Sequence, residues 1–297
     1  MRRAFGTVRP PFLVLTLACV ALSAALAAHL RGPVGTLDVV LVLVAALSAH
    51  ISVNSFNEFF DFHSGLDLKT FKTPFSGGSG TLVADPGAST DALQIALYSL
   101  LLCIAIGLYF VRVQGWTLLP VGVIGVLLVY GYTNTATKNP WLCLVAAGFG
   151  FGPLMMLGGY VALSGYWDTA ALWASVVVFA VVNNLLLVNQ LPDVEADAHV
   201  GRSTLPMKFS GKTIAVVYLL FAALAAFALV RLSLLLAEPA LWQRLWPAML
   251  PLSLSLVVAT GIYSYSDNTR KLLPYMALNV AVAVLTPAVM AVSIAAL

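Results

Sequence analysis

Charge is what this chain has least of: Asp, Glu, Lys and Arg make up 9% of its 297 residues, where soluble domains carry roughly 25%. That shortage excludes a soluble globular protein and a disordered chain. A net charge of +3 with no basic face also excludes a nucleic-acid partner. Cysteine is equally sparse. Cys19, Cys103 and Cys143 each sit inside an apolar run at no metal-ligand spacing. Neither a disulfide scaffold nor a zinc site is available, and the three read as small buried hydrophobes. What the chain has instead is apolar residues, 61% of the total.

A bilayer core about 30 Å thick needs roughly 20 apolar helical residues to cross it. Nine such stretches occur, at 11–30, 38–60, 92–111, 116–132, 141–163, 170–191, 213–230, 247–265 and 273–296. The expected fold is therefore all-α and integral to the membrane, one transmembrane domain over residues 1–297. Arg2, Arg3 and Arg9 before the first stretch give it the look of a signal peptide, but its length favours a retained span.

Nine spans place the termini on opposite sides, and basic residues decide which side is which. Arg2, Arg3, Arg9, Lys69, Lys72, Lys138, Arg202, Lys208, Lys212, Arg270 and Lys271 fall on the N-terminal side. Only Arg31, Arg112, Arg231 and Arg244 fall on the other. The asymmetry implies a cytoplasmic N-terminus and an outward C-terminus, in a membrane of the bacterial or archaeal inner type. Trp116, Trp167, Trp173, Trp242 and Trp246 lie near outer ends, as interfacial anchors do.

Eight of the twelve acids gather in or beside two connections on the cytoplasmic side, those after the second and sixth spans. Asn57-Glu58-Phe59-Phe60-Asp61, with Gly65 and Asp67, ends the second span, and Asn189-Gln190-Leu191-Pro192-Asp193-Val194-Glu195-Ala196-Asp197, with Gly201, ends the sixth. Asn57 to Asn189 and Asp61 to Asp193 are both displacements of 132 residues. That match, with echoing Lys-Thr-Pro-Phe-Ser-Gly and Met-Lys-Phe-Ser-Gly flanks, reads as an internal duplication into two pseudo-repeats of about four helices. The repeats are parallel, so both motifs lie on one side.

A spacing of four puts Asn57 and Asp61 on one helix face, and Asn189, Asp193 and Asp197 on another if the helix runs past Pro192. Carboxylate and amide oxygens on facing helix ends suit Mg²⁺, which shares its coordination with substrate phosphates. Asn57, Glu58, Asp61, Asp67, Asn189, Asp193 and Asp197 are the candidate ligands. Lys69, Lys72, Arg202, Lys208 and Lys212 are candidate partners for the charge that remains on a diphosphate. Asp85, Asp91, Asp168, Asp267 and Glu238 read as solvated charges or helix caps. A diphosphate site over an apolar interior points to prenyl diphosphates, whose carbocation needs a dry chamber. Phe56, Phe59, Phe60, Phe149, Phe151, Tyr130, Tyr132 and Tyr160 are candidates to line it, though each alone also fits plain packing.

At these residues the sequence resembles the UbiA-type intramembrane prenyltransferases. Asn57, Asp61, Gly65 and Asp67 match that family's first Asp-rich motif, and Asn189, Asp193, Asp197, Gly201 and Arg202 match its second. The resemblance implies nine helices around a central cavity, Mg²⁺, a prenyl diphosphate and a small aromatic acceptor. Gly148-Phe149-Gly150-Phe151-Gly152-Pro153, Gly158-Gly159-Tyr160 and the run from Leu187 to Leu205 are similar to the 1,4-dihydroxy-2-naphthoate prenyltransferases of menaquinone synthesis. Tyr132-Thr133 followed by Lys138 resembles that group's fourth-helix exit, which implies diphosphate contacts for Tyr132 and Lys138. Glu58 stands where the first motif usually has Asp, and Thr135 and Ala136 replace the usual prolines.

For the base that removes the acceptor's proton, Asp67 and Asp193 are the candidates, and with Asp61 they form the expected catalytic set. Other acceptors, such as 4-hydroxybenzoate, fit the same site. A CDP-alcohol phosphotransferase lacks its spaced motif here. A secondary transporter is the competing class, but transporters place polar groups at the midplane. His50, Asn54, Asn183 and Asn184 are the deeper polar residues, read as interhelical hydrogen bonders or acceptor-positioning groups.

Overall fold

A computed structural model describes residues 2–236 and 245–296. Among these, nine helices are long and apolar enough to span a membrane. They are α1 (Arg3–Arg31), α2 (Thr36–Ser64), α3 (Pro86–Gln114), α4 (Trp116–Asn134), α5 (Pro140–Ser164), α6 (Thr169–Asn189), α7 (Gly211–Leu235), α8 (Trp246–Tyr265) and α9 (Thr269–Ala295). No strand occurs among the described residues. Seven of the nine expected stretches lie wholly inside one helix, while the sixth and ninth overrun theirs by two residues and one. Glu238, Trp242 and Arg244 lie outside the described residues.

Lipid offers helices no hydrophobic gain on association, so close approach and hydrogen bonds must hold the bundle. Helices α5 and α6 meet on glycine. A Cβ at Gly148 would fall 2.2 Å from Asn183 Oδ1, and one at Gly152 would fall 2.4 Å from the Ser175 carbonyl. The Gly148 N–H donates to Asn183 Oδ1 at 2.8 Å. Just beyond, Pro153 has no N–H for the helical ladder, and α5 widens into a π-helical stretch over Gly150–Leu157. Asn184 Nδ2 donates to the Tyr218 carbonyl, the Tyr218 hydroxyl to Asn279 Oδ1, and Asn279 Nδ2 to the Asn184 carbonyl, at 2.9 to 3.0 Å. This closed triad ties α6, α7 and α9. Asn183 and Asn184 are thus interhelical hydrogen bonders.

At the end of the bundle away from the motifs, Asp168 corrects an expectation. It is neither a free solvated charge nor a cap, since its side chain makes no capping bond. It accepts from Arg31 at 2.6 and 3.1 Å and from the Tyr160 hydroxyl, joining α1, α5 and α6. Trp116, Trp167 and Trp246 are exposed, while Trp173 meets Phe227 edge-on.

The helices are not equivalent about the cavity. Walls come from α2 to α6, with Arg9 and Phe12 from the start of α1. Helices α7 and α9 pack on α6 from behind, α9 also on α1, and α8 packs on α7 and α9. Helix α4 buries only Leu118 and Thr133. It is a wall one helix thick, with the cavity on one side and lipid positions on the other.

Candidate active site

Two helix ends build the mouth of the cavity. Helix α2 stops at Gly65, whose left-handed backbone (φ 79°) lets its N–H reach back to the Asp61 and Phe62 carbonyls. A single 3-10 turn, Leu66–Leu68, then turns Asp67 inward and buries it. The sixth span ends differently from the longer helix considered above. Helix α6 ends at Asn189, a turn carries Pro192 and Asp193, and a separate short helix, Val194–His199, begins after Asp193. Proline at position 192 cannot supply the N–H that continuation requires. Asp193 and Asp197 therefore belong to a second helical turn set against the end of α6, not to one continuous face.

The two motifs are nonetheless brought together. Arg202 donates to Asp61 of the first and, at 3.2 Å, to Asp197 of the second. Its side chain is 15% exposed and that of Asp61 9%. The Ser203 N–H also donates to the Thr137 carbonyl at 2.8 Å, drawing the α4 exit against the second motif. Asn57, Asp61, Asp67, Tyr132, Asn189, Asp193, Asp197 and Arg202 all line one cavity of about 680 Å³.

Besides the Thr204 hydroxyl, four oxygens of cavity-lining residues are buried and have no hydrogen-bond partner: Asp67 Oδ2, Asn189 Oδ1, Gln190 Oε1 and Asp193 Oδ1. Buried polar atoms are rarely left so unless an ion or ligand satisfies them. All four are hard oxygen acceptors, which fits Mg²⁺. Among the described residues no three His, Cys, Asp or Glu side chains form a metal cage. Mg²⁺ completes its coordination with water and substrate phosphate oxygens. The same crowding raises the affinity of the site for protons. Burial, then the Glu58 and Asp61 charges, push Asp67 up to about 7. Burial and the Asp197 charge push Asp193 up to about 7. Asp197 is raised by burial against the opposing Arg202.

Glu58 stands apart from the other motif acids. It is fully buried but does not line the cavity. Its carboxylate accepts from Arg9 Nε at 2.7 Å, from the Ser79 N–H at 2.6 Å and from the Ser79 hydroxyl at 2.8 Å. With those lone pairs engaged, it fastens the N-terminal segment and the loop before α3 to the motif helix. Lys69, Lys72, Lys138 and Lys208 are exposed, and none lines the cavity.

Arg9, read from the sequence only as an orienting charge, is the cation that the mouth gains. It lines the cavity and donates to Asn57 Oδ1 at 3.4 Å as well as to Glu58. Its backbone is left-handed (φ 53°), the one non-glycine residue so placed among those described. Such strain concentrates at functional sites. No local sequence signal marks it, because its partners lie 48 and 49 residues away. Gln190, between the two motif residues Asn189 and Asp193, carries no role in the sequence pattern; its amide nitrogen donates to Cys143 Sγ at 3.1 Å. Of the expected aromatic lining, Phe151 and Tyr132 face the cavity, whereas Phe56, Phe60 and Tyr130 pack against one another beside it.

A helical membrane protein with an acidic, partly unsatisfied mouth over a deep apolar chamber can hold a charged head and a lipid tail at once. The chain belongs to the UbiA prenyltransferase family, whose model matches residues 13–281. It is 28% identical over 174 residues to the 1,4-dihydroxy-2-naphthoate octaprenyltransferase of Bacillus subtilis (strain 168), a match covering 58% of this chain and 54% of that one. The match thus spans about half the length of that relative. Two solved structures share the fold across nearly the whole chain. A UbiA homologue from Aeropyrum pernix K1 is 15% identical with a TM-score of 0.71, covering 96% of this chain and 97% of that one. A UbiA homologue from Archaeoglobus fulgidus, bound to GPP and Mg²⁺, is 14% identical with a TM-score of 0.68, covering 99% and 100%. Membership of this family gives no support to the transporter class.

Proposed function

We propose that this chain transfers a prenyl group from a prenyl diphosphate to an aromatic acceptor, with 1,4-dihydroxy-2-naphthoate, as in menaquinone synthesis, the acceptor the reading favours. The observation that carries the reaction class is the set of unsatisfied oxygens on Asp67, Asn189 and Asp193 at the mouth of an apolar cavity. The acceptor is supported by the Bacillus subtilis relative and by the glycine-rich run at the start of the π-helical stretch.

In this reading Asp61, Asp67, Asn189, Asp193 and Asp197, with Asn57 beside them, hold Mg²⁺. When bound, Mg²⁺ supplies Lewis-acid stabilisation of the leaving diphosphate. Arg202 and Arg9, which line the cavity, neutralise the rest of that charge through charge-assisted hydrogen bonds in this reading. Tyr132, which lines the cavity, donates its hydroxyl to the diphosphate in this reading, and Lys69, Lys72, Lys138 and Lys208 attract the polyanion to the mouth from the exposed loops. The apolar walls of α2 to α5 take the tail and exclude water from the allylic cation that C–O cleavage leaves. The acceptor carbon bonds to C1 of the prenyl group, the C1–O electron pair stays with diphosphate, and the proton released from the acceptor passes to Asp67 or Asp193. The whole chain acts as one domain. The basic-residue distribution supports a cytoplasmic mouth in a prokaryotic inner membrane.

The test is an assay of detergent-solubilised protein with labelled prenyl diphosphates of several lengths, against dihydroxynaphthoate and 4-hydroxybenzoate, with and without Mg²⁺. A Mg²⁺-dependent prenylated naphthol is expected. Product with hydroxybenzoate alone moves the acceptor, and no product with either overturns the reading.

A further inference from the structure

The motif helix carries one more functional group into the cavity, well below the acids. His50, Asn54, Asn57 and Asp61 are spaced 4, 3 and 4 residues apart on the unbroken helix α2, so they share a face, and all four line the cavity. His50 lies seven residues before Asn57, about 10 Å deeper along the helix. The wall beside it and deeper is apolar, with Ala49, Ala46 and Val42 on α2 and Leu154 on α5. Asn54 is committed elsewhere, its amide donating to the Val8 carbonyl at 3.0 Å.

His50 is 6% exposed and firmly held. Its Nδ1 hydrogen-bonds Thr16 Oγ1 at 2.7 Å, and its ring stands edge-on to Phe151 with centroids 4.9 Å apart. Nε2 has no hydrogen-bond partner among the described residues. An imidazole fixed by one nitrogen and facing a cavity with the other has a set orientation and a vacant hydrogen-bonding position. The interval of cavity wall between Asn57 and His50 on α2 is within reach of an aromatic acceptor that meets the prenyl carbon beside the diphosphate.

We propose that His50 is an acceptor-binding residue, hydrogen-bonding a ring hydroxyl of the aromatic substrate through Nε2 and so fixing which ring carbon faces the prenyl group. The inference rests on the prenyl-transfer reading above. It concerns the acceptor alone, since the diphosphate lies two helical turns away.

Two isosteric variants separate this role from a structural one. Asn at position 50 reproduces the Nδ1 position and keeps a partner for Thr16 but removes Nε2, whereas Gln reaches the Nε2 position. His50→Asn is expected to raise KM for the acceptor about tenfold, the effect of losing one buried hydrogen bond, and to leave KM for the prenyl diphosphate unchanged. His50→Gln should recover most of the loss. A purely structural histidine gives the reverse order, with Asn rescuing and Gln failing, and that result overturns the proposal. So does a change confined to the prenyl diphosphate KM, which would place the tail at this level. If wild-type protein prenylates no aromatic acceptor, the parent reading falls and the proposal with it. If wild type is active and both variants match it, the proposal alone falls.

Discussion

Arg202 is paired with Asp61 across 141 residues of chain, and through its other nitrogen it holds Asp197. One guanidinium thereby fixes the ends of two helices that carry separate acidic motifs, and it does so where the cavity opens. Breaking a buried ion pair from one side costs about 3–5 kcal/mol, because the surviving charge is left without compensation. Asp61 and Arg202 are thus structural partners in the ligand-free protein and candidates for different partners, cation and diphosphate, in the loaded one.

That exchange can be measured as a double-mutant cycle on Asp61→Asn and Arg202→Gln. In ligand-free protein, thermal stability should show a coupling of about 1–3 kcal/mol. With Mg²⁺ and a non-hydrolysable prenyl diphosphate the coupling should collapse, because each side chain then has another partner. Coupling unchanged by ligand would show that Arg202 never leaves Asp61. Asp61→Ala and Asp193→Ala should each lower turnover at least about 100-fold, as removal of a group stabilising the leaving charge does, while the protein still extracts and folds. Retained turnover in both would remove these carboxylates from the metal site.

Asp67 and Asp193, both held up at about 7, set a dependence on pH. Folding favours their protonated forms. Their contribution to stability is therefore fully present below the ordinary carboxylate range, near pH 4, and is lost as pH rises through about 7. Without Mg²⁺, Tm in detergent should fall between about pH 5 and about pH 8. Cation binding needs the deprotonated carboxylates, so the Tm gain on adding Mg²⁺ should grow over the same interval. Asp67→Asn and Asp193→Asn should each flatten both trends. A Mg²⁺-induced gain of equal size at both ends of the interval would argue against these ligands.

Much of this was legible in the sequence, for a physical reason. Span positions follow from hydropathy, which lipid enforces residue by residue, and Asn57 with Asp61 follows from helical period. The end of α6 was not fixed by pattern, because the spacing of Asn189, Asp193 and Asp197 suits a continuous helix and only Pro192 opposes it. Arg9 and Glu58 were harder still. Their roles come from the approach of the N-terminal segment to α2, and no short-range spacing encodes a contact across 49 residues.

Glu58 gives a prediction that runs against its place in the motif. Its oxygens are taken by Arg9 and Ser79, so Glu58→Gln should leave the Mg²⁺ concentration for half-maximal activity within about twofold of wild type. Loosening Arg9 should instead raise KM for the prenyl diphosphate roughly tenfold, as a charge-assisted hydrogen bond allows. Titrations of both ligands on the same variant separate the two effects. A Mg²⁺ requirement that rises as steeply as in Asp193→Asn would return Glu58 to the metal site.

Gly65 and Gly78 form the last test, because they share a backbone conformation and differ in surroundings. Both are left-handed, φ 79° and 73°, so alanine at either costs about 1–2 kcal/mol of backbone strain. A Cβ at Gly65 meets nothing within 4 Å, while one at Gly78 would lie 2.9 Å from Asp67 Oδ1. Gly65→Ala should therefore lower Tm and leave activity at permissive temperature near wild type. Gly78→Ala should lower Tm by a similar amount but reduce activity at least about tenfold, since a site carboxylate must move and small misplacements are costly in rate. Equal activities in the two variants would mean that the position of Asp67 does not limit the reaction.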